Sequence, residues 1–438
     1  MEKKREQWGS NFGFLMAAVG SAVGLGNIWR FPYVLGENGG AAFLLVYIAF
    51  TILIASPVLL SEFAIGRMTG KPVTAAFKQL APKKKWYYIG LSGVLCAFVI
   101  LSFYNVVAGW TLYYSYLSIT GQLAELNQAE IGSLFESASS NPIVCILGML
   151  LFAGLSAFVV MRGVEKGIER YSKILMPMLF ALIIVVCVRA LTLDGAEVGL
   201  SFLIKPDFSK LTPESLFVAL GQAFFSLSIG MGAMTTYGAY ISKKQNLASS
   251  VFSIAMIDFF VAFTAALMIF PSAFAFGINP GQGPGLVFVT LPGIFNQMAF
   301  GQLVSIVFFV LLAIAALTST MSLLEVIVSF MSSEFGIKRK MATFIASTLT
   351  ICSGIICAIS STVFSFFDNF SANVMLPLGA FFIILFVPLV LGKQKIKAEL
   401  EAHGQEFSLF NIFYFLVRFI VPIAIGALFI YCIAGWLF

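Results

Sequence analysis

Gly20-Ser21-Ala22-Val23-Gly24-Leu25-Gly26-Asn27, followed by Ile28-Trp29-Arg30-Phe31-Pro32-Tyr33, is the stretch whose reading decides the fold. It begins about ten residues into the first apolar segment of the chain. Three glycines and a serine within seven positions make poor helix, since each glycine costs a helix about 1 kcal/mol relative to alanine. Inside a bilayer, backbone released from a helix must be satisfied by protein, water or a bound ligand. A membrane helix that breaks halfway is therefore a place where carbonyls hold a cation and N–H groups hold an anion. The same residues also fit a packing face, because Gly20-x-x-x-Gly24 is a small-xxx-small pattern.

The surrounding composition supports a membrane setting. The 438 residues are 60% hydrophobic and 11% charged, with a mean hydropathy of +0.97. Such a chain is a polytopic membrane protein, with the lipid bilayer as its solvent, and not a soluble globule. The net charge of +6 is scattered through loops, which argues against nucleic acid as a partner. Glu2-Lys3-Lys4-Arg5 leads directly into a long span without a small-residue cleavage site, so no cleavable signal peptide is expected. Cys96, Cys145, Cys187, Cys352, Cys357 and Cys432 all fall in apolar segments without metal spacing and read as buried thiols. The single histidine, His403, lies in a charged loop and reads as solvated, leaving metal catalysis almost without ligands.

Eleven apolar runs are long enough to span, near 11–36, 41–70, 87–120, 142–161, 168–190, 213–240, 248–277, 301–335, 340–360, 364–392 and 408–436. Lysine and arginine orient them. With the N-terminus in the cytoplasm, all but five of the 26 basic residues fall on the inner side, the five being Arg30, Arg189, Lys205, Lys210 and Arg418. An odd number of spans then leaves the C-terminus outside. A second glycine-broken stretch, Gly221-Gln222-Ala223-Phe224-Phe225-Ser226-Leu227-Ser228-Ile229-Gly230-Met231-Gly232, lies in the sixth run. It enters from the opposite side, so the two breaks occupy matching positions of an inverted repeat. That arrangement points to the binding site of a secondary transporter.

The runs Gly20–Tyr33, Glu37-Asn38-Gly39-Gly40 and Gly221–Gly232 carry a resemblance to the neurotransmitter:sodium symporter family, with its leucine-transporter fold. The similarity continues through Asn105–Trp110, Leu291-Pro292-Gly293 and Ala315-Ala316-Leu317-Thr318-Ser319-Thr320 and so covers nearly the whole chain. The resemblance implies an all-α, multi-pass transporter of the short, eleven-helix bacterial branch, in the inner or plasma membrane, as a monomer or weak dimer. It implies one transporter domain over 1–438: a first repeat at 11–190, an inverted second repeat at 213–392, and a final span at 408–436.

The resemblance further implies two Na+ sites. One would be held by the Ala22 carbonyl, Asn27, Ser226, Asp258 and the substrate carboxylate. The other would be held by carbonyls of Gly20, Val23 and Ala315 with the hydroxyls of Thr318 and Ser319. Oxygen donors of this kind suit a hard cation. Thr318 and Ser319 also fit ordinary back-bonding to their own helix. Gly24 stands where monoamine-carrying relatives place an aspartate, so the ligand must bring its own carboxylate, which points to an amino acid. By alignment its site would comprise Ser21, Ala22, Leu25, Gly26, Ile100, Tyr104, Phe225, Ser226, Ser228, Met231, Ser319 and Leu323. The pocket is apolar with a few hydroxyls, and Met231 is flexible enough to repack around different ligands. Large hydrophobic amino acids are expected, tyrosine first among them because hydroxyls meet a phenol, with an aliphatic substrate as the alternative.

Tyr104 and Phe225 look like the family's lid. Arg30 and Asp368 look like an outer ionic gate, with Gln222 nearby, although Arg30 also suits interfacial snorkelling and Asp368 a helix start. Arg5, Trp8 and Tyr240 match an inner gate. Ser333 stands where the family usually has aspartate, and Glu334 is the candidate substitute. Carboxylates inside spans are functional suspects. Glu62 is expected to accept hydrogen bonds from unwound backbone, with Glu325 doing similar structural work. Asp258 is expected to supply a fixed negative charge that replaces chloride and to take up a proton once sodium leaves.

Other classes fit less well. A channel would carry ohmic current instead of concentrating its solute. An intramembrane enzyme would need a nucleophile–base pair, and no serine or cysteine has a histidine within the membrane. A dinucleotide site is excluded because the Gly20–Gly26 glycines follow no strand. A proton-coupled transporter on the same fold is the nearest rival.

Overall fold

Long apolar runs with few breakers wind into helices, and here they set the whole architecture. The computed structural model describes residues 6–277 and 286–437. In chain order the principal helices are Asn11–Ala22 (α1), Gly26–Glu37 (α2), Ala41–Thr69 (α3), Tyr87–Ile119 (α4), Pro142–Met161 (α5) and Val164–Leu191 (α6). They continue as Pro213–Ser226 (α7), Ala233–Gly238 (α8), Leu247–Ala275 (α9), Gly301–Glu334 (α10), Arg339–Ile359 (α11), Ser361–Leu400 (α12) and Phe410–Tyr431 (α13). Among the described residues, nine of these are long and apolar enough to cross a bilayer, and α1 with α2, bent by 43°, makes a tenth. The difference from the expected eleven lies at 213–240. There the chain forms two helices, α7 of 14 residues and α8 of 6, each too short to span alone.

α4 and α10 run along each other through the centre, and α1 leans on both α10 and α6. Ile143, Leu151, Phe252 and Ile423 project from the outer surface, the apolar exterior expected of helices that face hydrocarbon. Cys352 belongs to this exposed surface, contrary to its reading as a buried thiol. Cys96, Cys145, Cys187 and Cys357 are buried, and the Cys432 side chain lies outside the description. Buried hydroxyls along α4 are satisfied locally: Ser102, Ser115 and Ser118 each donate to the carbonyl four residues back, at 2.7–2.8 Å.

One close crossing fixes the position of the second break. α3 and α8 approach until a Cβ on Gly238 would lie 2.8 Å from the Phe63 carbonyl oxygen, and one on Gly66 would lie 2.8 Å from the Ala239 nitrogen. Only glycine permits that approach, as at small-residue crossings of membrane helices generally.

Candidate functional site

The two glycine-rich stretches both come apart, and they do so beside each other. α1 ends at Ala22, and Val23 turns to an extended conformation (φ −77°, ψ 103°). Its backbone bonds are then redirected. Gly24 N–H donates to Asn27 Oδ1 (3.3 Å), Leu25 N–H to the Tyr104 hydroxyl (3.0 Å), and Asn27 N–H to the Gly24 carbonyl (3.1 Å). The helical bonds that would have closed on the Gly20, Ser21 and Val23 carbonyls are not made. Ser21 O instead accepts from the Ser228 hydroxyl at 2.8 Å.

The second break is longer. α7 ends at Ser226 and α8 begins at Ala233. Between them Ser228, Gly230 and Gly232 adopt left-handed φ values of 54°, 85° and 76°. Glycine takes such angles readily, while Ser228 is held in them by its bond to α1. Glu62 of α3 satisfies the freed backbone. Its carboxylate accepts from Gly230 N–H (2.8 Å), Thr235 N–H (3.1 Å) and the Thr235 hydroxyl (3.0 Å). A carboxylate at the start of α8 also complements the helix dipole.

Between the breaks lies a cavity of about 20 Å3, lined by Ser21, Ala22, Gly24, Gly26, Ile100, Tyr104, Phe225, Ser228, Met231, Ser319, Ser322 and Leu323. Of the residues expected to share a ligand pocket, Leu25 and Ser226 are outside the lining. Leu25 meets Tyr104 through its N–H, and Ser226 turns toward Asp258. Gly24 sits against Tyr104 and Ser319. A Cβ there would lie 2.9 Å from the Tyr104 hydroxyl and run into Ser319 Oγ, so any side chain at that position would have to displace them. Likewise a Cβ on Gly26 would come within 3.0 Å of the Phe225 ring.

Beside the cavity is a wholly buried polar cluster. Asp258 Oδ1 accepts from Asn27 Nδ2 and Ser226 Oγ, both at 2.8 Å, and Oδ2 accepts from Ser226 Oγ at 2.8 Å and the Tyr47 hydroxyl at 3.3 Å. The cluster therefore collects a carboxylate, an amide, a hydroxyl and a phenol around one point, next to the broken end of α1. On the other side of α1, Gly20 lies against α10, where an added Cβ would be 3.1 Å from Thr318 Cβ. The Thr318 hydroxyl bonds back to the Ala315 carbonyl at 3.0 Å, so the local bonding allowed for in the sequence is present. Ser319 Oγ faces Gly24 in the break and not Gly20.

The two ends of the cavity are closed differently. At one end Arg30 Nη1 donates to Gln222 Oε1 (2.6 Å), its guanidinium lies 5.3 Å from the Phe225 ring centre, and Gln222 in turn donates to the Gly26 carbonyl (2.8 Å). Arg30 Nε and Asp368 Oδ1 are buried without a partner, so the expected Arg30–Asp368 ion pair is not made. At the other end Trp8 donates from its backbone to Tyr240 O (3.2 Å) and from its indole to Tyr237 O (3.1 Å), with its ring edge-on to both tyrosines. Tyr240 OH donates to Glu325 Oε1 (2.8 Å), and the Arg339 guanidinium grips both Glu325 oxygens, Glu6 and the Val160 carbonyl. Glu325 thus takes the place imagined for Glu334. Glu334 pairs instead with the exposed Lys78 at 3.3 Å, and Ser333 is exposed. Arg5 lies outside the described residues.

Three contributors escaped the sequence reading. Arg339 had counted only as a loop charge, although a basic residue opening the span after one that carries a buried glutamate is a usable signal. Tyr47 and Ser322 have no such signal, being single polar residues on otherwise ordinary helices.

Two helices broken side by side, a cavity between them and the buried Asp258 cluster beside it are the parts of a membrane transporter's binding site. The sequence comparison agrees: the Sodium:neurotransmitter symporter family matches residues 5–133 and 142–436, and the chain belongs to that family. It is 44% identical over 441 residues to the sodium-dependent transporter YhdH of Bacillus subtilis, covering 98% of each chain. It is 36% identical to a sodium-dependent transporter of Haemophilus influenzae, again over 98% of each chain. Among solved structures it is similar to MhsT in complex with L-phenylalanine, with a TM-score of 0.92 and 44% identity over 98% of this chain and 99% of that one. The chain is a multi-pass membrane transporter that uses sodium, and not an enzyme.

Proposed function

We propose that the chain is a symporter that imports large hydrophobic L-amino acids, aromatic ones foremost and tyrosine-like in particular, on the sodium gradient by alternating access and without chloride. The single observation that carries this reading is the filled space at Gly24. Tyr104 and Ser319 lie against it, and among the described residues no acidic one lines the cavity. The Leu25 N–H and Tyr104 hydroxyl at the start of α2 suit a carboxylate brought by the ligand. That MhsT is solved with L-phenylalanine supports an aromatic amino acid.

Two sodium sites follow the same logic. Ala22, Asn27, Ser226 and Asp258 would hold one ion with the substrate carboxylate, and Gly20, Val23, Ala315, Thr318 and Ser319 the other. Asp258, fixed by Asn27, Ser226 and Tyr47, would supply the negative charge that makes chloride unnecessary. In this reading the chain has eleven spans. The first five (11–190) and next five (213–392) form inverted repeats, 408–436 stands outside them, and the N-terminus is cytoplasmic. Arg30, Gln222 and Asp368 form the outer gate, and Trp8, Tyr240 and Glu325 with Arg339 the inner one.

The test is uptake of labelled amino acids into proteoliposomes under an inward sodium gradient. Accumulation of an aromatic amino acid that disappears when choline replaces sodium supports the reading. Accumulation that survives choline but follows a proton gradient favours the proton-coupled alternative, and preference for leucine or valine the aliphatic one. Asp258→Asn is expected to abolish uptake or make it respond to chloride, and full activity indifferent to chloride would refute the fixed-charge role.

A further inference from the structure

The cavity has two unlike ends. One is formed by the Tyr104 hydroxyl, which accepts from Leu25 N–H, with Gly26 and Phe225. The other lies one helical turn from Tyr104 and from Ser319: Ile100 before Tyr104 on α4, and Ser322 and Leu323 beyond Ser319 on α10, with Ser21 from the last turn of α1 and Met231 from the second break. A ligand that fixes its carboxylate at the first end sends its side chain to the second. Ile100, Leu323 and Met231 give that end apolar walls. As it stands the space is only about 20 Å3, so the flexible Met231 thioether must move aside for a ring.

The polar side chains at this end are Ser21 and Ser322, both almost wholly buried. Ser21 Oγ donates to Ser322 Oγ at 2.8 Å, and Ser322 Oγ donates to the Ser319 carbonyl at 2.8 Å. Ser228 is engaged elsewhere, donating to the Ser21 carbonyl. A hydroxyl carries one proton and two acceptor lone pairs. Both protons of the pair are therefore committed. Ser322 Oγ already accepts from Ser21 and has the Tyr237 phenol beside it, while neither of these bonds uses the lone pairs of Ser21 Oγ.

We propose that the Ser21–Ser322 pair determines specificity: Ser322 takes the Ser21 proton, so that Ser21 Oγ accepts a hydrogen bond from a donor at the tip of the substrate side chain. A phenol O–H or an indole N–H meets this requirement. A carboxylate-tipped side chain, which only accepts, does not. This inference rests on the amino-acid reading of the cavity and names what its far end recognises.

The experiment is sodium-dependent competition against labelled L-phenylalanine on the purified full-length protein, using L-tyrosine and 4-fluoro-L-phenylalanine as near-isosteres with and without the donor. The tyrosine-to-fluorophenylalanine affinity ratio is expected to fall about tenfold in Ser21→Ala/Ser322→Ala, the size of one buried hydrogen bond. Because the readout is a ratio within one preparation, losses of expression or folding cancel. An unchanged ratio overturns the proposal. If the double variant is not recovered, the wild type decides through L-tryptophan against its benzothienyl analogue, which replaces the indole N–H by sulfur. Tighter binding of tryptophan supports the hydroxyl pair, and equal affinity overturns it. If the wild type binds no amino acid with sodium, the amino-acid reading falls and this one with it. Binding with a flat ratio overturns the hydroxyl pair alone.

Discussion

The two ends of the cavity carry similar residue types but are closed to different degrees. At the Trp8 end, two tyrosines edge-on to the indole, a buried glutamate and an arginine that bonds three residues tie the segment before α1 to α5, α10, α11 and the end of α8. At the Arg30 end, the contact is one arginine–glutamine bond and one cation–ring approach, with Asp368 left unbonded. In this conformer the seal at the Trp8 end is strong and the one at the Arg30 end is provisional. A transporter that alternates must invert that relation during its cycle.

The sharpest way to break the contrast is Arg339→Ala. It leaves Glu325 buried with the Tyr240 hydroxyl alone, and uncompensated buried charges cost about 3–5 kcal/mol. Sodium-driven accumulation should fall at least tenfold, and amide exchange over residues 8–16 should rise. Unchanged exchange would mean that the network does not hold the Trp8 end shut. Glu325→Gln/Arg339→Met, which removes both charges, should recover part of the loss. Trp8→Ala should weaken the same end by about 2 kcal/mol, below a full core truncation because the ring is only partly buried, and faster exchange at Tyr237–Tyr240 would report it.

The Arg30 end should be more forgiving. Arg30→Ala removes a charge-assisted hydrogen bond and a ring contact, so substrate affinity in binding assays should weaken by about 1–2 kcal/mol. Asp368→Asn has the smallest expected effect, within about twofold, because nothing bonded is lost. A tenfold loss instead would show that the ion pair forms whenever ligand is bound, which would confine the contrast to this conformer.

How much of this was readable beforehand depended on the kind of signal. Glycine clusters announce broken helices because their cost to a helix is local, and both breaks fall within the quoted stretches. The grouping of Asn27, Ser226 and Asp258 was nameable only through the family resemblance, because the three lie on separate elements that no local pattern brings together. The closures were less legible. Which carboxylate Tyr240 meets depends on how far α11 brings Arg339 back over α10, a tertiary distance that no local pattern encodes. Glu334, one residue from the expected position, points to Lys78 instead. Ser322 was invisible for a related reason: a serine one turn past Ser319 looks like any helix serine until α1 places Ser21 against it.

The α3–α8 crossing has a mechanical corollary. Where Gly66 and Gly238 interlock and Glu62 rivets Gly230 and Thr235 to the same helix, neither element can slide past the other without losing all of these contacts together. Under the proposed alternating access α3 and α8 would therefore move as a strapped pair, with the bending taken up around Ser228.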